Sequence, residues 1–170
     1  NSQAAVAPWQ VIDGAASAAA FAQTLRTIPR QAFGRNAIGS VIDFAQRQIE
    51  GNAFPGERLV IDVSADSAYS WNGVPLALAR ERALEAGITI NALPILEKFQ
   101  YSSFDGQTNT ASIELRASSM AAFYRQYVIG GPGSFLIEAN DFSAFGEALK
   151  RKLLRELIAE NGMQEAAAHP

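Results

Sequence analysis

Directly after the apolar run Leu59-Val60-Ile61, the chain alternates oxygen-bearing side chains in the pattern Asp62-x-Ser64-x-Asp66. Carboxylates and hydroxyls so spaced offer the hard oxygens that Mg²⁺ or Mn²⁺ takes. A plainer reading makes Asp62 a mid-strand polar residue and Asp66 a turn or helix-cap acid, which are ordinary positions for this residue type. In both readings Arg58–Ser67 is a central parallel strand that ends in small polar residues. Open α/β sheets bind ligands outside the carboxyl ends of their strands, so Ser64, Asp66 and Ser67 are expected at the floor of any site.

Other chemistries have few candidates. The chain contains no cysteine, which removes disulfides, thiolate nucleophiles and cysteine metal centres. Its single histidine, His169, lies next to the last residue, so a Ser-His-Asp triad has no internal base. Asp62 and Asp66 could serve a carboxylate-dependent hydrolase as acid and base, but no His, Lys or Cys joins them in that segment, and enzymatic activity is not expected. A net charge of −3 and a pI near 5.2 provide no basic face for nucleic acid. No apolar run reaches the roughly 18 residues of a membrane span.

The elements that must hold the strand end follow from periodicity and punctuation. Ala4–Ile12 reads as an edge strand, because Pro8 cannot donate to a ladder. Asp13 caps an alanine-rich helix carrying Phe21, Leu25 and Ile28, and Pro29 ends it. Asn36 is the expected N-cap of a second helix with Ile38, Val41, Ile42, Ala45 and Ile49 inward, stopped at Gly51. After the organising strand come a helix over Leu76–Ala86, opened by Pro75 and closed by Gly87, and a strand over Ile88–Leu93.

The polar stretch Lys98–Ala117 breaks this rhythm and reads as a functional or mobile loop. Ser118 opens a helix with Met120, Phe123, Tyr124 and Tyr127. The turn Gly130-Gly131-Pro132-Gly133 lacks the lysine of a phosphate loop and leads to a strand over Ser134–Ala139. In the last helix, capped by Asn140 or Asp141, Phe142, Phe145, Leu149, Leu153 and Leu157 are expected inward, and Lys150, Arg151, Lys152 and Arg155 on a solvated face. The whole predicts an α/β fold: one doubly wound, mainly parallel sheet with helices on both faces, a single domain over residues 1–162 and a flexible tail at 163–170.

In this order, Val11-Ile12-Asp13-Gly14-Ala15-Ala16-Ser17, Ala37-Ile38-Gly39, Val60-Ile61-Asp62-Val63-Ser64, Gly87-Ile88-Thr89-Ile90-Asn91 and Val128-Ile129-Gly130-Gly131-Pro132-Gly133 resemble a bacterial family of uncharacterised proteins with a von Willebrand factor A-type domain. The resemblance implies a Rossmann-like sheet with a metal-ion-dependent adhesion site at its strand ends. The family's threonine position falls on Asn36 and its later aspartate on Asp66. With the strand-end hydroxyl of Ser64 they form the expected ligand set for Mg²⁺ or Mn²⁺, and Asp62-x-Ser64-x-Asp66 then only echoes the family's Asp-x-Ser-x-Ser loop. That loop is absent here, and Asn36 stands where threonine is usual, so a cation-free, vestigial site in a scaffold domain is the alternative.

The same resemblance implies a periplasmic or secreted binding module for a protein partner or acidic ligand. The missing loop would precede Asn1 together with two strands and a helix, so the fold is expected to be incomplete at the N-terminus. Strand Leu59–Val63 should then lack one neighbour, with the gap filled by another chain, by Ala4–Ile12 or by an intermolecular sheet.

Overall fold

The computed structural model describes residues 3–29, 36–67, 73–96 and 120–167. Its elements are helix α1 (Ala15–Thr27), helix α2 (Ile38–Glu50), strand β1 (Val60–Ala65), helix α3 (Leu76–Glu85), strand β2 (Thr89–Pro94), a π-helical segment (Tyr124–Val128) and helix α4 (Phe145–Ala167). The stretch 98–117 lies outside the described residues. Of the tail at 163–170, residues 163–167 continue α4.

Mixed helix and strand around a small open parallel sheet make this an α/β fold. β1 and β2 pair in parallel from Val60↔Thr89 to Ala65↔Pro94, joined through α3 as a βαβ unit. On the far side of β2, residues 135–139 run parallel to it through isolated bridges, Ala92↔Leu136 and Ile95↔Ala139. The expected strand Ser134–Ala139 is therefore present as a set of bridges instead of a continuous ladder.

Burial follows from this arrangement. β2 is flanked on both edges and buried at all six positions, the polar Thr89 and Asn91 included. β1 alternates: Ile61 and Val63 are buried, whereas Asp62 and Ser64 are exposed. One face of the sheet, carrying Ile61, Val63, Ile90 and Ala92, packs against Ile38 and Ile42 of α2, Ala79 and Ala83 of α3, and Tyr124 and Val128. Side chains such as Ile42 and Ile90, with no exposed surface, each contribute about 1.5–3 kcal/mol through burial. The other face holds a smaller cluster of Leu93, Ile95, Ala139 and Ala148.

Three expectations are corrected. Residues 3–14 form no strand, and Val6, Trp9, Val11 and Ile12 are exposed. A strand needs a ladder partner, and among the described residues this segment has none. The last helix, α4, begins only at Phe145; Phe145 and Leu149 do face the core, but Phe142 ahead of it and Leu153 and Leu157 within it are exposed, while Lys152 is fully buried. The inward row is Ala148, Lys152 and Glu156, one residue out of step with the apolar row at Leu153 and Leu157. Finally, Ala37 and not Asn36 is the N-cap of α2.

Candidate functional site at the strand end

That last shift frees the Asn36 side chain. One residue before the cap, its amide Nδ2 donates to Oδ1 of Asp66 at 2.9 Å, across a sequence separation of 30 residues. Asp66 follows the last residue of β1, so a strand end and a helix start meet where the fold class places its crevice. The positive end of the α2 dipole favours a carboxylate there.

The approach of α2 depends on small residues. Gly39 faces the turn before α3 so closely that a Cβ would lie 2.2 Å from the Val74 carbonyl oxygen. The Val74 N–H donates to Ser40 Oγ at 3.1 Å, and Gly73 holds φ +96, a conformation natural to glycine. These contacts fix the N-terminal turn of α2 against the turn that opens α3.

Behind the site, the buried Tyr124 hydroxyl donates to the Ser67 carbonyl oxygen at 2.8 Å. Burial, and secondarily the neighbouring Asp66 carboxylate, push its pKa well above the ordinary phenol value. Tyr124 therefore stays a neutral donor through the physiological range. Tyr124→Phe is expected to cost about 1 kcal/mol in urea unfolding, because it removes the hydrogen bond made by a buried hydroxyl. A pH titration of tyrosinate absorbance should show one group in the wild type, absent in the variant, that resists ionisation beyond the others.

The structure brings Asn36 and Asp66 together and does not join Ser64 to them. The alternation of β1 sends Ser64 to the face that carries Asp62, opposite the face covered by α2. Among the described residues no three His, Asp or Glu side chains gather in one place. The groups beside each other there are the Asp66 carboxylate and the Asn36 amide, which turns its N–H, not its carbonyl oxygen, toward Asp66.

A second polar cluster lies on the opposite face, and sequence reasoning missed it. The Lys152 ammonium, fully buried under α4, pairs with Asp62 Oδ1 of β1. Asn91, paired with Asp62 in the sheet register, donates through Nδ2 to Glu156 Oε1 at 2.6 Å and accepts the Phe135 N–H on Oδ1 at 3.0 Å. Burial raises the Glu156 pKa, and the Asp62 carboxylate adds to the rise, opposed by Asn91 and Lys152. The signal in the sequence was Asp62 and Asn91 at matching positions of two apolar strands, because buried polar groups demand partners. Thus the two acids considered for hydrolysis are held by different elements, Asp62 by Lys152 of α4 and Asp66 by Asn36 ahead of the α2 cap.

An apolar groove of ≈ 750 Å³ between α3 and the π-helical segment, lined by Leu76, Arg80, Leu84, Phe123 and Tyr127, stands apart from both clusters. Arg80 is engaged there with the Ile129 carbonyl, to which Nε and Nη2 donate at 3.0 and 2.9 Å. No helix among the described residues is long and apolar enough to cross a membrane.

Comparison with protein families matches residues 1–161 to the family described as "Protein of unknown function (DUF1194)". No curated protein and no solved structure matches the chain.

Proposed function

Because the chain belongs to this uncharacterised bacterial family, its function has to be read from its own residues, and we propose a non-enzymatic binding module. Its ligand site is the carboxyl end of a von Willebrand factor A-like sheet. The observation that carries this reading is the Asn36–Asp66 hydrogen bond. It joins, at one strand end, the two residues that the family resemblance selects. Asp66 and the Asn36 carbonyl would hold Mg²⁺ or Mn²⁺, and Ser64 would take part only if its strand end turned. An acidic ligand or a carboxylate of a protein partner would complete the coordination, as oxygen-rich sites with open positions allow. The same resemblance supports a periplasmic or secreted setting.

A second reading rests on a different aspect of the same contact. One Asp66 oxygen already accepts the Asn36 N–H, so the carboxylate is satisfied without a cation, as in a scaffold domain with a vestigial site. Calorimetric titration with Mg²⁺, Mn²⁺ and Ca²⁺ separates the two. The binding module predicts heat of binding for at least one cation and a loss of tenfold or more in affinity for Asp66→Ala. Absence of binding at millimolar cation, with unchanged thermal stability, would leave the scaffold.

A further inference from the structure

The turn at Tyr124–Val128 is π-helical, with the Ile129 N–H donating to the Tyr124 carbonyl at 3.0 Å. Single π-helical turns are rare, and they occur frequently at functional sites. This one is held from outside, because Arg80 of α3 gives both Nε and Nη2 to the Ile129 carbonyl that follows it. Tyr124 and Val128 of the turn are fully buried. Phe123 and Tyr127 instead stand side by side along the groove beside α3, their ring centroids 5.4 Å apart and their planes tilted by 46°. Tyr127 is 50% exposed.

The facing wall is α3, whose two cations are both engaged. Arg80 is committed to the Ile129 carbonyl, and Arg82 reaches the other way, to Asp43 of α2 at 3.8 Å. Glu81 and Glu85 line the groove one helical turn apart, and among the described residues neither has an ion-pair partner. Like charges at this spacing repel, so a cation between them relieves both. The groove therefore combines two aromatic side chains on one wall with two uncompensated carboxylates on the other, and Leu76 and Leu84 complete an apolar lining.

This geometry does not depend on what pairs with β1. α3 packs between α2 on one side and the π-helical segment on the other, and α2 is the helix that covers β1. A strand added beyond β1 would lie on the α2 side, with α3 between it and the groove.

We propose that the groove binds a small organic cation, a quaternary or alkylated ammonium group carried on an apolar body. Aromatic faces attract such a group through their quadrupoles, and the two glutamates supply the counter-charge. A volume of ≈ 750 Å³ lies within the range of about 300–1,000 Å³ typical of small-molecule sites. It exceeds the size of an ammonium group alone, so the apolar body fills the remainder against Leu76 and Leu84. The site is distinct from the strand end at Asn36 and Asp66, and neither reading requires the other.

Titration of the full 170-residue chain with benzyltrimethylammonium, followed amide by amide in ¹H–¹⁵N NMR spectra, tests the proposal. Saturable shifts are expected over residues 76–85 and 123–129 at millimolar ligand. Tetramethylammonium, the cation without its body, and benzyl alcohol, the body without its charge, are each expected to bind more weakly. Tyr127→Leu keeps apolar bulk but removes a ring, and Glu81→Gln/Glu85→Gln keeps shape but removes the charge. Each is expected to raise Kd about threefold or more, while unchanged spectra elsewhere and an unchanged urea midpoint show that the fold is retained. Absence of shifts in the groove, or shifts confined to Asn36 and Asp66, overturns the proposal. So does benzyl alcohol binding as tightly as the cation, or a Kd that both variants leave intact.

Discussion

Replacing Lys152 with methionine is expected to lower the free energy of unfolding by about 3 kcal/mol at pH 7, and by about 1 kcal/mol at pH 4. Methionine keeps an unbranched apolar stem in the place of the buried lysine, so packing changes little. What disappears is the only cation between the Asp62 and Glu156 carboxylates among the described residues. Removing one partner of a fully buried pair costs about 3–5 kcal/mol, and the 33% exposure of the Asp62 side chain brings the figure to the low end.

The pH dependence follows from the raised Glu156 pKa. A carboxyl that is harder to ionise in the folded state favours folding below its ordinary value of 4.5, and that contribution is lost as pH rises through the folded pKa. Lys152 limits the loss by favouring the ionised form. Without it, two carboxylates confront each other at neutral pH, whereas at pH 4 protonation removes the repulsion. Glu156→Gln provides the control: it removes this titration and should flatten the decline of stability above pH 5. Urea unfolding at both pH values decides, and an equal loss at pH 4 and pH 7 would refute the electrostatic account.

This cluster also shows what the sequence displayed and what it hid. The alternation of helix and strand, the paths of β1 and β2, and the turn glycine at Gly87 were all legible, because each depends on local pattern and punctuation. The meeting of Asn36 with Asp66 was legible too, since both sit at element ends that an α/β sheet collects on one side. Lys152 was not. The leucines at 149, 153 and 157 suggest an inward stripe, and only the knowledge that Asp62 and Asn91 share a register shows that a polar row must turn inward instead. The leucines at 153 and 157 are then left outside. The apolar residues at Val6, Trp9, Val11 and Ile12 misled for a related reason. Alternation marks a chain that could be a strand, but a strand exists only against a partner, and sequence does not supply one.

Gly39→Ala is expected to destabilise the protein by about 2 kcal/mol, against the direction that helix propensity predicts. Within a helix, alanine is favoured over glycine by about 1 kcal/mol. Here the added Cβ would meet the Val74 carbonyl oxygen at 2.2 Å, the Leu76 nitrogen at 2.9 Å and the Leu76 Cα at 3.0 Å. All three are backbone atoms at the start of α3, so no side chain can swing aside. Overpacking of this kind costs about 1–3 kcal/mol, and a backbone clash at 2.2 Å puts the gross cost at or above the top of that range. A shift of α2 away from α3 is also expected to move Asn36, which lies three residues before Gly39 and one before the N-cap, relative to Asp66. If the strand end binds a cation, Gly39→Ala should therefore weaken calorimetric binding as well as stability, although it removes no oxygen donor. Gly146 in α4, whose added Cβ would meet nothing within 4 Å, sets the baseline: Gly146→Ala should stabilise by about 0.5–1 kcal/mol. Chemical denaturation of the two variants side by side checks the argument, and a Gly39→Ala protein as stable as the Gly146→Ala protein would show that α2 and α3 are not in tight contact.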